Sequence, residues 1–414
     1  MIAVTSSANR PAVKRFLPDL LFAGLVLLFI GLSLLSSRQE SVTIDEFRHL
    51  STGVYYWQSG DYSFDAATPP LWKMAMALPP YLDGAQPVRF RPVPDSAAGW
   101  EPWFVATDFM RDNGAAYDGY LQAARLVNIL AGALCLILLY RRCRRMCGPA
   151  AALFGTAFLA LSPTFLAHAH YATTDVIATL TGMVTIFLMV DYLKSPSAAR
   201  LVGVTLLFSL ALLCKFSALL LAPLLLLVTV APFVKAGGER RAVPALVSAL
   251  LVVVLVPLLT VNCFYGFRGI GTPLGQMQLE SRSLADLARG GAGRLPLPLP
   301  PAFVAGFDKQ KADSDYSEFP AYLNGRWSAD GFRGYYLAAL CLKEPLPFLL
   351  LLAAALGVLA RSRGREFGRG ELALLLYLPL VLFLVLSFMN RLNVGVRYPV
   401  SYTHLRAHET VLDL

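Results

Sequence analysis

Long apolar stretches alternate with short polar segments along most of this chain. A helix that crosses a bilayer needs about 20 mainly apolar residues. Stretches of this length predict an all-α polytopic membrane protein with about nine transmembrane helices. Lys215 separates two of the stretches, which therefore form either a tight hairpin or a broken, re-entrant pair. The predicted spans lie near 17–36, 119–140, 149–167, 172–193, 200–214, 216–234, 243–263, 335–360 and 371–389.

Basic residues between the spans favour one orientation in the membrane. The first stretch is long for the core of a signal peptide and is predicted to be an uncleaved helix. With a cytoplasmic N-terminus, every inner loop is rich in arginine or lysine, as the positive-inside rule requires. The two long polar segments, 37–118 and 264–334, then lie on the outer face. The basic inner loops are 141–145, 194–200, 235–241 and 361–369.

Composition supports a membrane protein and argues against a nucleic-acid-binding one. The 414 residues are 56% hydrophobic and 15% charged, whereas a soluble domain averages about 25% charged residues. The net charge of +9 is concentrated in short loops, so it indicates topology and not a nucleic-acid partner. Cys143 and Cys147 flank one such loop, but the arginines between them would repel zinc, and we expect reduced thiols there.

The outer segments are predicted to contain helices that do not cross the membrane. Residues 47–57 and 71–82 have the amphipathic pattern of helices that lie in the interface plane. A further helix is expected over 273–289, followed by a turn and an extended, polyproline-like stretch over 290–301. Because the sequence shows no internal repeat, residues 1–400 are predicted to form a single membrane-embedded domain.

The last residues do not continue the apolar pattern. A further span is expected after Val400, but the chain ends in a polar tail over 401–414. We interpret this tail as a foreign or frameshifted end on a truncated reading frame, or else as a genuine polar tail. His404 and His408 have the i, i+4 spacing of a metal pair, and we discount them because they lie in this tail.

Three acidic residues on the outer side are candidates for chemistry. Asp45 and Glu46 follow the first span. Because neighbouring helical side chains point about 100° apart, one acts while the other holds the local fold, or both are solvated or capping charges. Asp175 starts the fourth span, where an acid is either functional or a favourable helix N-terminal charge. His168 and His170 precede it and either bind a metal with it or contact water.

Several cations share the outer face with these acids. Lys73, Lys215, Lys343 and Arg397 lie in outer or membrane-embedded positions, where each can simply extend its charge to the interface. Together they have the charge that a phosphate leaving group needs. A carboxylate that deprotonates a hydroxyl, opposite a departing lipid phosphate, would transfer a sugar with inversion.

The order and placement of these motifs resemble the polyprenyl-phosphate-dependent glycosyltransferases of the membrane-embedded GT-C class. This class includes the protein O-mannosyltransferases of glycosyltransferase family 39 and the bacterial transferases that add aminoarabinose to lipid A. The resemblance covers most of the chain and implies a GT-C-type helical bundle. Its motifs are at 45–46, 69–73, 171–175, 212–215, 322–325, 342–347 and 393–398.

The resemblance implies a role for each candidate residue. Asp45 would be the base or would orient the acceptor, Asp175 would be a second acid in the same cavity, and Lys73 would lie near the lipid phosphate. No tightly bound cofactor is expected, and a divalent metal stays open although no motif supports it. The predicted catalytic residues are Asp45, Glu46 and Asp175, and the predicted lipid-phosphate or substrate ligands are Lys73, Lys215, Lys343, Arg397 and His170.

The predicted enzyme is a glycosyltransferase of the bacterial inner membrane whose active site faces outward. Its donor would be a polyprenyl-phosphate-linked sugar. Its acceptor would be a protein, a glycolipid or a polysaccharide. The sequence does not distinguish between these, because no soluble domain that recognises the acceptor is expected in it. A transporter or flippase for a lipid-linked sugar is the alternative, although no inverted repeat is visible. A scaffold protein of the envelope would not explain why acids and cations gather on one side.

Overall fold

A computed structural model describes residues 12–90, 101–235, 242–315, 321–329 and 331–362 of the chain. Helices dominate this part of the molecule, which confirms the predicted all-α polytopic class. The predicted span 371–389, the candidate ligand Arg397 and the tail 401–414 lie outside the described residues. The same holds for His404 and His408.

The described residues form fifteen α-helices and one small antiparallel hairpin. The hairpin was not predicted, and its two-residue turn is formed by Asn324 and Gly325, which both have positive φ angles, as a tight hairpin turn requires. The elements are α1 (Ala12–Gln39), α2 (Ile44–Ser59), α3 (Pro70–Leu82), α4 (Glu101–Asn113), α5 (Tyr117–Cys147), α6 (Pro149–Ala160), α7 (Pro163–His170), α8 (Asp175–Lys194), α9 (Ala198–Cys214), α10 (Ala222–Lys235), α11 (Ala242–Phe264), α12 (Arg282–Arg289), α13 (Pro301–Asp315), β1 (Ala321–Leu323), β2 (Arg326–Ser328), α14 (Tyr335–Lys343) and α15 (Leu346–Ser362).

Five helical segments of the described chain are long and apolar enough to cross a membrane, and up to seven if two bent helix pairs each count as one span. Large apolar side chains such as Leu27 and Leu227 stay about 70% exposed on these helices, as expected of a surface that contacts lipid and not water. Helix α9 has 17 residues and is shorter than each of these five segments. The five segments are Phe16–Gln39, Glu101–Cys147, Asp175–Lys194, Phe216–Val234 and Val243–Phe264.

Two predicted spans are bent helix pairs and not straight helices. The span at 149–167 is divided into α6 and α7, which meet at 63°, and the span at 335–360 is divided into α14 and α15, which meet at 118°. Pro163 and Pro345 lie at the two breaks, and a proline cannot donate the backbone hydrogen bond that would continue the preceding helix. Apolar residues flank the break at Pro163, so hydropathy alone does not reveal it, whereas the charged pair Lys343 and Glu344 directly precedes Pro345.

The helix expected over 273–289 is also shorter than predicted. Only Leu274–Gln276, as a single 3₁₀ turn, and α12 are helical. Between them the chain is held by Asp308, whose carboxylate accepts hydrogen bonds from the backbone N–H groups of Glu280 (2.5 Å) and Ser281 (3.2 Å). Ser281 then caps α12 by accepting from the N–H of Leu284.

The two helices predicted in the first outer segment are confirmed as α2 and α3. Helix α2 begins with a capping box in which Thr43 and Glu46 satisfy each other's backbone donors, and it ends at Gly60 in the left-handed conformation. The two helices pack very closely at Gly53, where an added Cβ would lie 2.3 Å from the carbonyl oxygen of Lys73. Only glycine permits this approach, so Gly53 sets the distance between α2 and α3.

A fully buried arginine attaches α2 to the bundle. Arg125, on α5, donates hydrogen bonds to both carboxylate oxygens of Glu46 at 2.7 and 2.8 Å. It also donates to the carbonyl oxygens of Ser37 (2.5 Å), Glu40 (3.0 Å) and Ser41 (2.8 Å). One side chain therefore fixes the end of α1, the linker after it and the first turn of α2.

We expect Gly53→Ala to lower the free energy of unfolding by about 1–3 kcal/mol, because the new methyl group must push α3 away. Gly119→Ala is the matched control, since a Cβ there meets nothing within 4 Å. It should be neutral or slightly stabilising. Unfolding in mixed micelles with increasing SDS measures both values, and equal stability of the two variants would contradict the close packing.

We expect Arg125→Ala to cost about 3–5 kcal/mol of unfolding free energy, because it leaves the Glu46 carboxylate buried without its cation. Arg111→Ala removes an arginine that is 65% exposed in its ion pair with Asp108, and it should cost at most about 1 kcal/mol. The same titration compares the two, and a similar cost for both would show that Arg125 is not a structural anchor.

Candidate functional site

The structure brings most of the predicted site residues together at one end of the bundle. Asp45, Lys73, Asp175 and Lys215 lie at the start of α2, in the first turn of α3, at the start of α8 and just after α9. Each of these four residues is at most 5% exposed. Because burial of an unpaired charge is costly, the arrangement of their partners determines what this region can do.

Asp45 and Glu46 are adjacent but have different surroundings. Glu46 is fully buried, and besides Arg125 and Thr43 its carboxylate accepts a hydrogen bond from the backbone N–H of Ala172 at 2.8 Å. Asp45 lies about 100° around the helix and close to Arg48. Burial lowers the pKa of that guanidinium, but Asp65 and then Asp45 outweigh burial and raise it. The contacts of Glu46 are those of a residue that holds the fold, whereas Asp45 faces the charged groups of the site.

The first charged cluster is centred on Asp65, in the loop between α2 and α3. The ammonium of Lys73 donates to the Asp65 carboxylate at 2.8 Å and to its carbonyl oxygen at 2.7 Å. The guanidinium of Arg48 lies 3.6 Å from the other carboxylate oxygen, and the hydroxyl of Thr52 donates to Asp65 at 3.2 Å. Asp65 has a φ of 49°, a left-handed conformation that aspartate tolerates and that accompanies its double contact with Lys73.

Burial changes the protonation of this cluster. It lowers the pKa of Lys73 to about 8, although the Asp65 carboxylate opposes the shift and Arg48 reinforces it. Burial also lowers the pKa of His49 to about 3, with Arg48 and Lys73 acting in the same direction. His49 is 2% exposed and therefore neutral near pH 7. The pKa of Asp65 is lowered because Arg48 and Lys73 outweigh the effect of its burial.

The second charged cluster is centred on Asp175, the first residue of α8. The ammonium of Lys215 donates to one carboxylate oxygen at 3.0 Å, and the Nδ1 atom of His168 lies 3.2 Å from the other. Lys215 occupies the extended residue at which α9 ends and a 3₁₀ helix, Phe216–Leu221, begins. The interruption of the apolar sequence at this lysine therefore corresponds to a break in the helix that points its charge at Asp175.

His168 and His170 contact different carboxylates. The Nε2 atom of His170 lies 3.1 Å from the carboxylate of Glu40, and its Nδ1 atom lies 2.9 Å from the carbonyl oxygen of Leu166. The hydroxyl of Tyr171 also donates to Glu40. Among the residues that the structure describes, no three histidine, cysteine or acidic side chains are grouped as metal ligands, so His168, His170 and Asp175 do not form the set considered from the sequence.

Hydrogen bonds and close packing connect the two clusters. The indole N–H of Trp72 donates to the side-chain oxygen of Asn128 at 3.0 Å, and the Asn128 amide donates to the carbonyl oxygen of Tyr171 at 2.6 Å. Helix α3 is thereby tied to the loop before Asp175. On the other side, Gly306 of α13 packs against the loop after Asp65, since an added Cβ would lie 2.1 Å from the carbonyl oxygen of Ala66.

The remaining predicted ligands are placed less directly. Lys343 is exposed at the end of α14, and none of the contacts that define the two clusters involves it. Its neighbour Glu344 accepts a hydrogen bond from the hydroxyl of Thr164 at 2.9 Å, which attaches this segment to α7. Arg397 lies outside the described residues, so its role as a ligand stays a prediction.

Sequence reasoning missed several residues of the site. Asp65 could not be recognised, because it is a loop aspartate whose partners come from other segments. The polar stripe on α2 did leave a signal, since its other members follow Asp45 by three, four, seven and eleven residues and so share one helix face. An arginine inside the apolar stretch of α5 was a second signal. The stripe consists of Asp45, Arg48, His49, Thr52 and Tyr56.

The charge arrangement is suited to an anionic ligand and a proton transfer. Two buried lysines and a partly buried arginine lie beside three carboxylates, those of Asp45, Asp65 and Asp175, so the formal charges balance and every cation is already oriented by an acid. Charge-assisted hydrogen bonds from such cations are strong in a region of low dielectric constant. A buried carboxylate such as Asp45 can accept a proton from a hydroxyl placed next to it.

Comparison with known proteins finds a family similarity for the central part of the chain. Curated proteins and solved structures yield no match to the chain. A family model matches over residues 118–261, about a third of the chain, which includes Arg125, His168, Asp175 and Lys215. That model describes the dolichyl-phosphate-mannose-protein mannosyltransferases, and the match confirms the predicted resemblance over these residues.

Proposed function

We propose that this protein transfers a sugar from a polyprenyl-phosphate donor to a hydroxyl group of an acceptor, with inversion, at the outer face of the bacterial inner membrane. The observation that carries the proposal is the pair of buried lysine–aspartate clusters at one end of the bundle, with Asp45 beside them. The family match over the helices that form this end supports a lipid-phosphate donor.

Lys73 and Lys215 are the proposed ligands of the donor phosphate. Each lysine is already held by a carboxylate, Lys73 by Asp65 and Lys215 by Asp175, at 2.8 and 3.0 Å. The positive charge is thus oriented before the donor arrives, and no reorganisation is needed when the phosphate departs with its developing charge. Arg48 shares Asp65 with Lys73, and Asp45 is the second acid near Arg48, so this cluster gains one net positive charge when Asp45 takes up a proton.

Asp45 is the proposed base that takes the proton of the acceptor hydroxyl. Its neighbour Glu46 is engaged by Arg125, Thr43 and Ala172, and we assign Glu46 the role of positioning α2. Attack from the side opposite the phosphate would invert the configuration of the sugar. Asp175, at the start of α8, would be the acid that orients Lys215, and His170, at the end of α7, would hold Glu40 near the acceptor.

His49 completes the proposed sugar site. A neutral imidazole offers one hydrogen-bond donor and one acceptor, which suits hydroxyl groups of a sugar. It lies one helical turn after Asp45 on the same face of α2. The acceptor molecule is a protein, a glycolipid or a polysaccharide, and the proposal does not require a tightly bound cofactor.

A carrier for a lipid-linked sugar is the second candidate. Two helix pairs, α6 with α7 and α14 with α15, are bent by 63° and 118°, and transporters often bind substrate at such broken helices. The two breaks contact each other through Thr164 and Glu344. A carrier would bind the donor without cleaving its sugar–phosphate bond, and the following experiment separates the two functions.

We expect Asp45→Asn to reduce sugar release from a synthetic polyprenyl-phosphate sugar by about 10²–10⁴-fold, because the base is lost, while donor binding is retained. Asp83→Asn is the matched control, since Asp83 is exposed at the end of α3, and it should leave the rate unchanged. Turnover and donor binding are measured separately on purified protein. Binding without turnover in the parent and in both variants would favour the carrier.

We expect donor affinity to fall as the pH rises through about 8, because Lys73 then loses the charge that holds the phosphate. The direction follows from its lowered pKa, since a lysine with the usual pKa would keep its charge until about pH 10. Lys73→Arg, which stays charged, should move the fall to higher pH. The effect is measured by equilibrium binding of the donor between pH 6.5 and 9.5, roughly one and a half pH units on each side of this pKa. A pH-independent parent would contradict the assignment of Lys73.

A further inference from the structure

The inner end of the bundle, opposite the candidate active site, contains an open cavity between α1 and α5. Its volume is about 520 Å³. The first turns of α1 and the last turns of α5 form its walls, and by the positive-inside rule this end faces the cytoplasm. The residues that matter for its chemistry are Asp19, Phe22, Tyr140, Arg141, Arg144 and Arg145.

The cavity has an excess of positive charge. Asp19 forms an ion pair with Arg144 and accepts a hydrogen bond from the hydroxyl of Tyr140 at 3.0 Å. Arg141 and Arg145 are exposed, and neither forms an ion pair with an acidic side chain of the described residues. Three guanidinium groups against one carboxylate leave two positive charges.

The neighbouring arginine shows that this charge is not simply spread over the loop. Arg142 turns away from the cavity and pairs with Asp191 of α8 at 2.6 Å. Its charge is therefore compensated within the bundle, whereas those of Arg141 and Arg145 face the cavity. A basic loop that only sets the orientation in the membrane would need a sufficient number of basic residues. It would not need one arginine to be paired with an acid while others face a cavity.

The other wall of the cavity is apolar and aromatic. The rings of Phe22 and Tyr140 are stacked, with centroids 3.9 Å apart and an angle of 4° between their planes. Ile137 continues this wall along α5 towards the bilayer. A ligand that fills the cavity would therefore contact cations at one end and apolar surface at the other, at the depth of the lipid headgroups.

We propose that this cavity binds the phosphate of an anionic phospholipid from the inner leaflet, with Arg141 and Arg145 on the phosphate and an acyl chain against Phe22 and Ile137. Basic pockets between transmembrane helices on the cytoplasmic side are suited to such headgroups. Free phosphate offers the same anionic chemistry but has no group for the apolar wall. The assignment does not depend on the proposed transfer reaction, because the cavity lies at the other end of α1 and α5.

Binding of dioctanoyl phosphatidylglycerol to the full-length protein in a neutral detergent tests the proposal, with native mass spectrometry as the readout. We expect the parent to retain this lipid and to retain dioctanoyl phosphatidylcholine much less. R141Q/R145Q should bind phosphatidylglycerol about tenfold more weakly, because two headgroup charges lose their partners. Inorganic phosphate, used alone as a competitor, should not displace the lipid.

The control variant is K194Q/R200Q, which removes two exposed charges from the next basic loop without touching the cavity. It should bind like the parent. Equal losses in the two double variants would overturn the proposal, because binding would then follow total charge. Displacement by inorganic phosphate would also overturn it in favour of a simple anion site. Phe22→Ala provides an independent check, since it should weaken binding of the lipid while leaving every charge in place.

Discussion

The buried ion pair between Arg125 and Glu46 is the interaction on which the outer end of this molecule depends. It joins a transmembrane helix to the first turn of α2, and the same guanidinium also takes up the free carbonyl groups at the end of α1. A charge buried without water must be matched closely, so the pair has one acceptable geometry. That geometry determines where the neighbouring Asp45 and the polar face of α2 are placed.

From this anchor, the site is built by close packing and by charges that satisfy one another. Gly53 allows α2 and α3 to pack closely. The loop between the two helices folds so that the Asp65 carboxylate forms ion pairs with both Lys73 and Arg48. Asp175 and Lys215 form the corresponding pair on the adjacent helices. The cations are thus held in place by carboxylates of the chain itself, which is the preorganisation that the proposed transfer from a lipid phosphate requires.

Much of the molecule could be predicted from the sequence, and the failures have physical causes. The long apolar segments, the two amphipathic helices and the gathering of Asp45, Lys73, Asp175 and Lys215 at one end were predicted, because hydropathy and the side of the membrane limit each of them. The breaks at Pro163 and Pro345 were not, because the sequence around Pro163 is as apolar as a straight span and the charged residues before Pro345 were interpreted as a ligand motif and not as a helix end. The His168 and His170 pair was considered as one metal site, yet the helix end directs the two rings at different carboxylates.

By itself, the sequence determined that the chain is a helical membrane protein, which end carries the acids, and which motifs resemble the membrane glycosyltransferases. These properties follow from the local distribution of apolar and charged residues, since the bilayer acts on each segment separately. Only the tertiary structure decided that Glu46 is an anchor while Asp45 faces the site, and that Asp65 is the partner of Lys73. Such assignments depend on contacts between residues distant in the chain, 79 positions apart for Glu46 and Arg125, and no local pattern contains them.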